Sequence, residues 1–340
     1  CNLFIQHDSE FFMITTPLQG FYHWEKTTPH ATFLRQPIND HWHVFTYQQA
    51  GEEARKIAGG LKLLGLPAGS NIAILSKNCA HWIMADLAIW MAGHVSVPIY
   101  PTLSATAIQY ILEHSESKAI FVGKLDNFLE QAHGIPHQIP KISFPAYGQG
   151  VGYLWEEWLN TYAAATNIER PTEEIATVMY SSGTTGTPKG VMLSFGALGY
   201  VGNQMRNYLC RQKPQHFFSY LPLSHIAERA LMQMTVLASG SMISFTESLD
   251  KFAANLEHEQ PTIFGGVPRI YAKFQEGVLA KMPQKKLNRL LAIPVVRNLV
   301  RKAIQKKLGM ARAEIVVSGA APTPVSLLQW YARLGVTVRE

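Results

Sequence analysis

Residues 181–186 place four hydroxyl side chains and two glycines in a row, and Pro188 and Lys189 follow after Thr187. The whole stretch, Tyr180 to Gly190, reads YSSGTTGTPKG. Its polar middle cannot pack a core. Its chemistry is that of an anion cradle. Gly183 and Gly186 let the backbone take positive φ, so successive N–H groups can point at one anion. Ser181, Ser182, Thr184, Thr185 and Thr187 add hydroxyl donors, Lys189 adds a full positive charge, and Pro188 stiffens the exit. A polyphosphate suits that set. A flexible Ser/Thr/Gly surface loop would share the composition, so the loop alone does not decide. The pattern is not a Walker A loop, which needs G-x-x-x-x-G-K-[ST] opening a helix. Here Pro188 stands five residues after Gly183, and GVMLS after the lysine reads as a strand.

The elements that must hold this loop follow from periodicity. TYQQAGEEARKIAGGLKLLG opens with a capping box, Thr46 with Gln49, and Ala50, Ala54, Ile57, Ala58 and Leu61 keep helical spacing up to Gly65. NIAIL (71–75), VSVPIY (95–100) and KAIFV (118–122) read as strands, with Pro98 pointing to an edge or an interruption. Asn78 is expected to cap a helix running to Met91, and Ser104–Ser115 is expected to be helical. Strands are expected at Ile175–Tyr180, Val191–Leu193, Phe217–Leu221, Ser241–Phe245, Thr262–Phe264 and Ile315–Val317, with a helix starting at Thr323 and Pro324. His133–Tyr153, rich in glycine and proline, reads as the connection between two lobes. The expected fold class is α/β, with doubly wound sheets and helices on both faces. The expected lobes span about 20–150 and about 170–340, the second holding the 180–190 loop.

Composition bounds the partners. Of the 340 residues, 47% are hydrophobic, enough for a large core. Three widely spaced cysteines give no metal or redox spacing, which suggests a reducing cytoplasm. The net charge of +6 is local: residues 281–312 carry ten Lys or Arg and no Asp or Glu. A protein coated in charge for nucleic acid is therefore not expected. That segment, KMPQKKLNRLLAIPVVRNLVRKAIQKKLGMAR, also repeats apolar residues at helical spacing, with Pro294 dividing two helices. Two readings stand: an apolar face packed on the protein under solvated lysines, or peripheral contact with an anionic membrane.

Four further stretches give the loop company: SYLPLSHIAER (219–229), FGGVPRIYAKF (264–274), VVSGAAPTP (316–324), and the run from NIAIL through KAIFV. Together with YSSGTTGTPKG they resemble the adenylate-forming, AMP-binding superfamily, in the form seen in long-chain fatty acyl-CoA synthetases. The resemblance runs in order over about residues 20–340. It implies ATP-dependent activation of a long-chain fatty acid to an acyl-adenylate, and then to acyl-CoA, with ATP, Mg²⁺ and coenzyme A taking part. It implies that the loop and Lys189 hold the β- and γ-phosphates, and that Ser181, with Thr184 as second choice, helps hold Mg²⁺. His225 would lie between the nucleotide and the acyl carboxylate, although a helix-capping histidine would look the same in sequence. Gly319, Ala320, Ala321 and Pro322 would let adenine lie against the backbone. Gly265, Gly266, Val267 and Pro268 would line the acyl channel. In the family a metal-binding glutamate, a ribose-binding aspartate and a small domain with a catalytic lysine follow the point where this chain ends. These 340 residues are thus expected to be an N-terminal adenylation domain that makes no acyl-CoA alone. Ligases for other carboxylic acids, acyl-AMP ligases that load a carrier protein, and a non-catalytic nucleotide- or lipid-binding relic are the alternatives. The intact loop argues against the relic.

Overall fold

A computed structural model describes residues 14–147, 149–181, 188–210 and 213–340. Fourteen strands form two seven-stranded sheets among these residues. In chain order they are β1 (Thr32–Ile38), β2 (His41–Thr46), β3 (Asn71–Leu75), β4 (Val95–Ile99), β5 (Ala119–Val122), β6 (Lys141–Ser143), β7 (Tyr153–Leu154), β8 (Ile175–Ser181), β9 (Lys189–Ser194), β10 (His216–Ser219), β11 (Met242–Phe245), β12 (Ile263–Gly266), β13 (Ile315–Ser318) and β14 (Val338–Arg339). One sheet runs β14-β13-β12-β10-β11-β1-β2 and the other β7-β6-β5-β3-β4-β8-β9. Pairing is parallel except for the hairpins β1–β2 and β8–β9. The α/β class read from the alternation is the observed one, because parallel neighbours need helical crossovers.

The sheets do not divide where the sequence suggests. The β8–β9 hairpin, with the glycine-rich segment at its tip, joins the sheet built from residues 71–154 through β4. The β1–β2 hairpin joins the later sheet through β11. The 133–153 stretch, read as an inter-lobe connection, supplies β6 and β7 at the edge of its sheet. Strands of three and two residues carry too few side chains to show a period, and backbone bonds alone define them. Pro98 is not at an edge either. It pairs with Ile74 inside the sheet, while the recorded β4–β8 register is at Ser96↔Thr177, before the missing N–H.

The main core lies between the sheets. Its centre is the Ala80–Met91 helix, all of whose residues are buried. Such a helix must be apolar all round because it has no wet face. Its N-terminus is capped from elsewhere. Gln36 of β1 accepts the Ala80 N–H at 3.1 Å. Asn78, expected to be the cap, points to the other sheet instead, so tertiary contacts overrode the local cap. The Thr46 box forms as expected, at the start of the Tyr47–Leu63 helix. The last expected helix runs Val325–Arg333 with Pro324 at its N-cap, one residue late, because the Thr323 hydroxyl pairs with Ser318 at 2.7 Å.

Candidate functional site

Three loops leave the C-terminal edge of the first sheet side by side. Parallel β10, β12 and β13 end at Ser219, Gly266 and Ser318, and the segments that follow carry His225, Val267–Pro268 and Gly319–Pro322. Open parallel sheets place ligand crevices at this edge. Hydrogen bonds stitch the loops. Tyr220 donates to the Gly265 carbonyl at 3.1 Å, Tyr271 donates to the Val317 carbonyl at 2.7 Å, and the Gly319 N–H donates to the Gly266 carbonyl at 3.1 Å. Burial pushes both tyrosine hydroxyls well above their usual range, so they stay protonated donors. Gly319, Ala320, Ala321 and Pro322 are all exposed, and a Cβ built at Gly319 would meet nothing within 4 Å. Ala320 takes φ +67, a left-handed conformation that costs a non-glycine residue about 1 kcal/mol or more. The turn holds that strain at an open strand end, beside the β10 and β12 loops. Gly265 is half-buried and Gly266 buried, with a Cβ at the latter reaching the Tyr220 hydroxyl at 3.0 Å.

His225 is exposed at the start of the Ile226–Glu228 helical turn. Its Nδ1 accepts the Ala227 N–H at 3.1 Å. The capping role and the functional role are thus compatible. With Nδ1 occupied as acceptor, the neutral ring carries its proton on Nε2, which is left as an outward donor.

Glu228 and Arg229 end the SHIAER stretch, where their spacing suits a salt-bridged helix start; in the fold they take separate partners. Both are buried. Glu228 accepts from the Ser219 hydroxyl at 2.7 Å and the Tyr220 N–H at 3.2 Å. Asn78, from the loop after β3, donates to the same Ser219 hydroxyl at 2.8 Å and to the Leu221 carbonyl, and accepts the Leu223 N–H at 2.9 Å. The Ser219–Leu223 segment that leads from β10 into His225 is therefore held from the other sheet. Arg229 is fully buried, between Trp82 and Trp90 at 5.4 and 5.6 Å from the ring centroids. It donates twice to Asp86 at 2.8 Å, to Ser96 at 3.1 Å and to Thr177 of β8 at 3.2 Å. It thereby ties the His225 segment to the strand that leads into the glycine-rich loop. A π-helical turn at Arg229–Met234 lets this happen, adding a residue to the helix just where the guanidinium turns inward. The one legible signal was Asp86, the lone acid in a helix whose other residues, His81 apart, are apolar.

Burial pushes the Glu228 carboxyl up to about 8, against the hydrogen bonds it accepts from Ser219, Tyr220 and Leu221. The folded state therefore holds this proton more tightly than the unfolded chain does. The resulting stability is complete below about pH 4.5, declines as pH rises, and is exhausted above about 8. Glu228→Gln should remove that decline. Urea midpoints across this window should fall for wild type relative to the variant, and two parallel curves would contradict the assignment.

The hairpin end is defined on both sides. Ser181 and Lys189 are direct cross-strand partners, both exposed, and Tyr180 pairs with Gly190. A Cβ on Gly190 would sit 2.8 Å from the Val178 side chain, so the motif's final glycine serves close strand packing. The stems are braced by Tyr110, which donates to the Pro188 carbonyl at 3.2 Å, and by a 2.7 Å bond between His114 Nδ1 and the Tyr180 hydroxyl. Ser182, Gly183, Thr184, Thr185, Gly186 and Thr187 lie outside the described residues. Among the described residues no group of three or more His, Cys, Asp or Glu could hold a metal ion. A groove lined by Glu113, His133 and His137 shares no residue with this constellation.

The sequence profile of the AMP-binding enzymes matches residues 21–339. The chain belongs to this family. As an AMP-binding enzyme it is 29% identical over 353 residues to the long-chain-fatty-acid–CoA ligase ACSBG2 of Xenopus laevis, covering 90% of this chain and 48% of that protein. It is also 29% identical over 359 residues to long chain acyl-CoA synthetase 2 of Arabidopsis thaliana, covering 92% and 54%. The chain thus spans about half the length of the curated relatives it matches. Among solved structures it superposes on the A domain of the carboxylic acid reductase of Segniliparus rugosus with a TM-score of 0.77 at 20% identity, covering 95% and 59%. A benzoate CoA ligase of Burkholderia xenovorans LB400 gives 0.74 at 20%, covering 95% and 60%. These solved neighbours share its fold.

Proposed function

We propose that the full-length protein activates a long-chain fatty acid with ATP, releasing pyrophosphate, and passes the acyl group to coenzyme A with release of AMP. The observation that carries this is the Arg229 anchor. It ties the His225 segment, through Thr177, to the strand β8 that ends at Ser181 across from Lys189. A carboxylate attacking the α-phosphate is an anion meeting an anion, so fixed positive charge and fixed geometry lower the barrier. In this reading Lys189 and the 181–187 loop bind the β- and γ-phosphates, and His225 Nε2–H orients the carboxylate or an α-phosphate oxygen. Gly319, Ala320, Ala321 and Pro322 take the adenine face, and Gly265, Gly266, Val267 and Pro268 line the acyl path. A Mg²⁺ ion, when bound, supplies further neutralisation of phosphate charge. The exposed Ser181, at the end of β8, would offer its hydroxyl oxygen as one ligand, a hard donor of the kind Mg²⁺ takes. The long-chain specificity is supported by the relatives named for such acids. The solved neighbours named for other carboxylic acids keep an aryl substrate as the competing reading.

Pyrophosphate release by the full-length protein against a panel of acids tests both levels. Long-chain acids should exceed benzoate by about 10-fold or more in kcat/KM, the scale on which a pocket sorts apolar groups. A preference for benzoate would overturn the chain-length assignment. No release with any acid would overturn the activity. His225→Ala should lower kcat with long-chain acids while the protein stays folded.

A further inference from the structure

We propose that the corner between the Gln284–Ala292 and Pro294–Lys307 helices docks on an anionic membrane surface. The basic segment offered two readings in sequence, and the fold separates them by position. Leu287, Leu291 and Ile304 pack into a core cluster with Tyr271, Trp330 and Tyr331. One apolar stripe is therefore used by the protein itself. A second stripe is not. Ile293, Val295 and Leu299 are 50, 78 and 68% exposed at the turn between the helices. Val295 and Leu299 lie one helical turn apart, on the same face as Lys302 and Lys306.

The charge of the segment that forms this corner is one-sided. Residues 281–312 contain ten cations and no acid. Among the described residues Lys307 is the only one of them in an ion pair, with Glu257 at 2.8 Å. The guanidinium of Arg301 is also engaged, donating to the Arg333 carbonyl at 2.8 Å. Lys285, Arg289, Lys302 and Lys306 project into solvent from the same pair of helices. Acidic protein surfaces would satisfy the cations but not three exposed aliphatic side chains. A headgroup layer satisfies both, since it is anionic outside and apolar a few ångströms deeper. No helix among the described residues is long and apolar enough to cross a membrane, so the contact is with the surface. The proposal draws its benefit from the fatty-acid reading, because long acyl chains reside in lipid. Its physics does not depend on that reading.

The test is co-sedimentation of the full-length protein with phosphatidylcholine vesicles, with and without phosphatidylglycerol. Wild type should bind the anionic vesicles, and binding should weaken as salt rises. A variant with Lys285, Arg289, Lys302 and Lys306 changed to Gln should bind about 10²-fold more weakly. Val295→Ser with Leu299→Ser should lose about 10-fold while keeping its charge. All six positions face solvent, so thermal unfolding should match wild type and certify the folds. Wild-type binding by both variants, or no binding by the full-length wild type, overturns the proposal. The second result would mean that another part of the chain covers the corner. Vesicle binding without pyrophosphate release from any acid would leave this inference standing and remove the proposed function. Fatty-acid activation without vesicle binding would do the reverse.

Discussion

Lys189→Ala should slow acid-dependent pyrophosphate exchange by the full-length protein by about 10²-fold or more, the usual cost of removing one preorganised charged donor from a phosphoryl or acyl transition state. The lysine opens β9 directly across from Ser181, on a hairpin whose neck is braced by Tyr110 and His114. It is exposed, and it forms no ion pair among the described residues. Nothing in the fold requires its charge, so the variant should unfold at the wild-type temperature. Lys189→Arg keeps the charge but changes its shape and reach, and should recover only part of the rate. Wild-type exchange in Lys189→Ala would remove the phosphate-binding role from this loop. A loss confined to thermal stability would make the lysine structural.

Arg229→Met should destabilise the protein by about 3–5 kcal/mol, because it leaves the Asp86 carboxyl buried without its cation. Burial already pushes Asp86 up, and Arg229 with Ser96 and Gln233 opposes that push. Both side chains of the pair have 0% exposure, so water cannot stand in for the missing partner. Combining Arg229→Met with Asp86→Leu should cost less than either change alone, since an apolar pair leaves no stranded charge. Urea unfolding of the four proteins measures the cycle. Additive costs, or an Arg229→Met cost under about 0.5 kcal/mol, would show that the pair is not coupled. The double variant also separates stability from function. Loss of the link to Thr177 should lower kcat for adenylation even where the fold is restored.

The alternation of strands and helices was readable because buried parallel strands and the helices that cover them carry strong periods of their own. The capping box at Thr46, the Pro294 break and the strand β13 before Gly319 all follow local rules, and they form as those rules require. The glycine-rich loop and SHIAER stood out for a different reason: polar residues at fixed spacing beside apolar strands have few packing explanations.

Sheet membership was not readable. Hairpin β8–β9 and hairpin β1–β2 look locally alike, and only long-range pairing sends each into the sheet built from the other half of the chain. Asn78 shows the same limit at one residue. Its sequence neighbours favour a helix cap, yet three bonds to the Ser219–Leu223 segment outweigh one local bond. The basic segment shows it for a surface. Periodicity marked its apolar residues without saying which would be covered, and packing against Tyr271 and Tyr331 took Leu287 and Ile304 but left Val295 and Leu299 in solvent. By itself the sequence determined the strongly periodic strands and helices, the polar loop and the chemistry its residue types allow, because those rest on spacing along the chain. The tertiary structure decided that Arg229 reaches Asp86 and Thr177, and so which strand His225 is fixed against, because residues 52 and 143 positions apart meet only after both sheets have closed on their shared core.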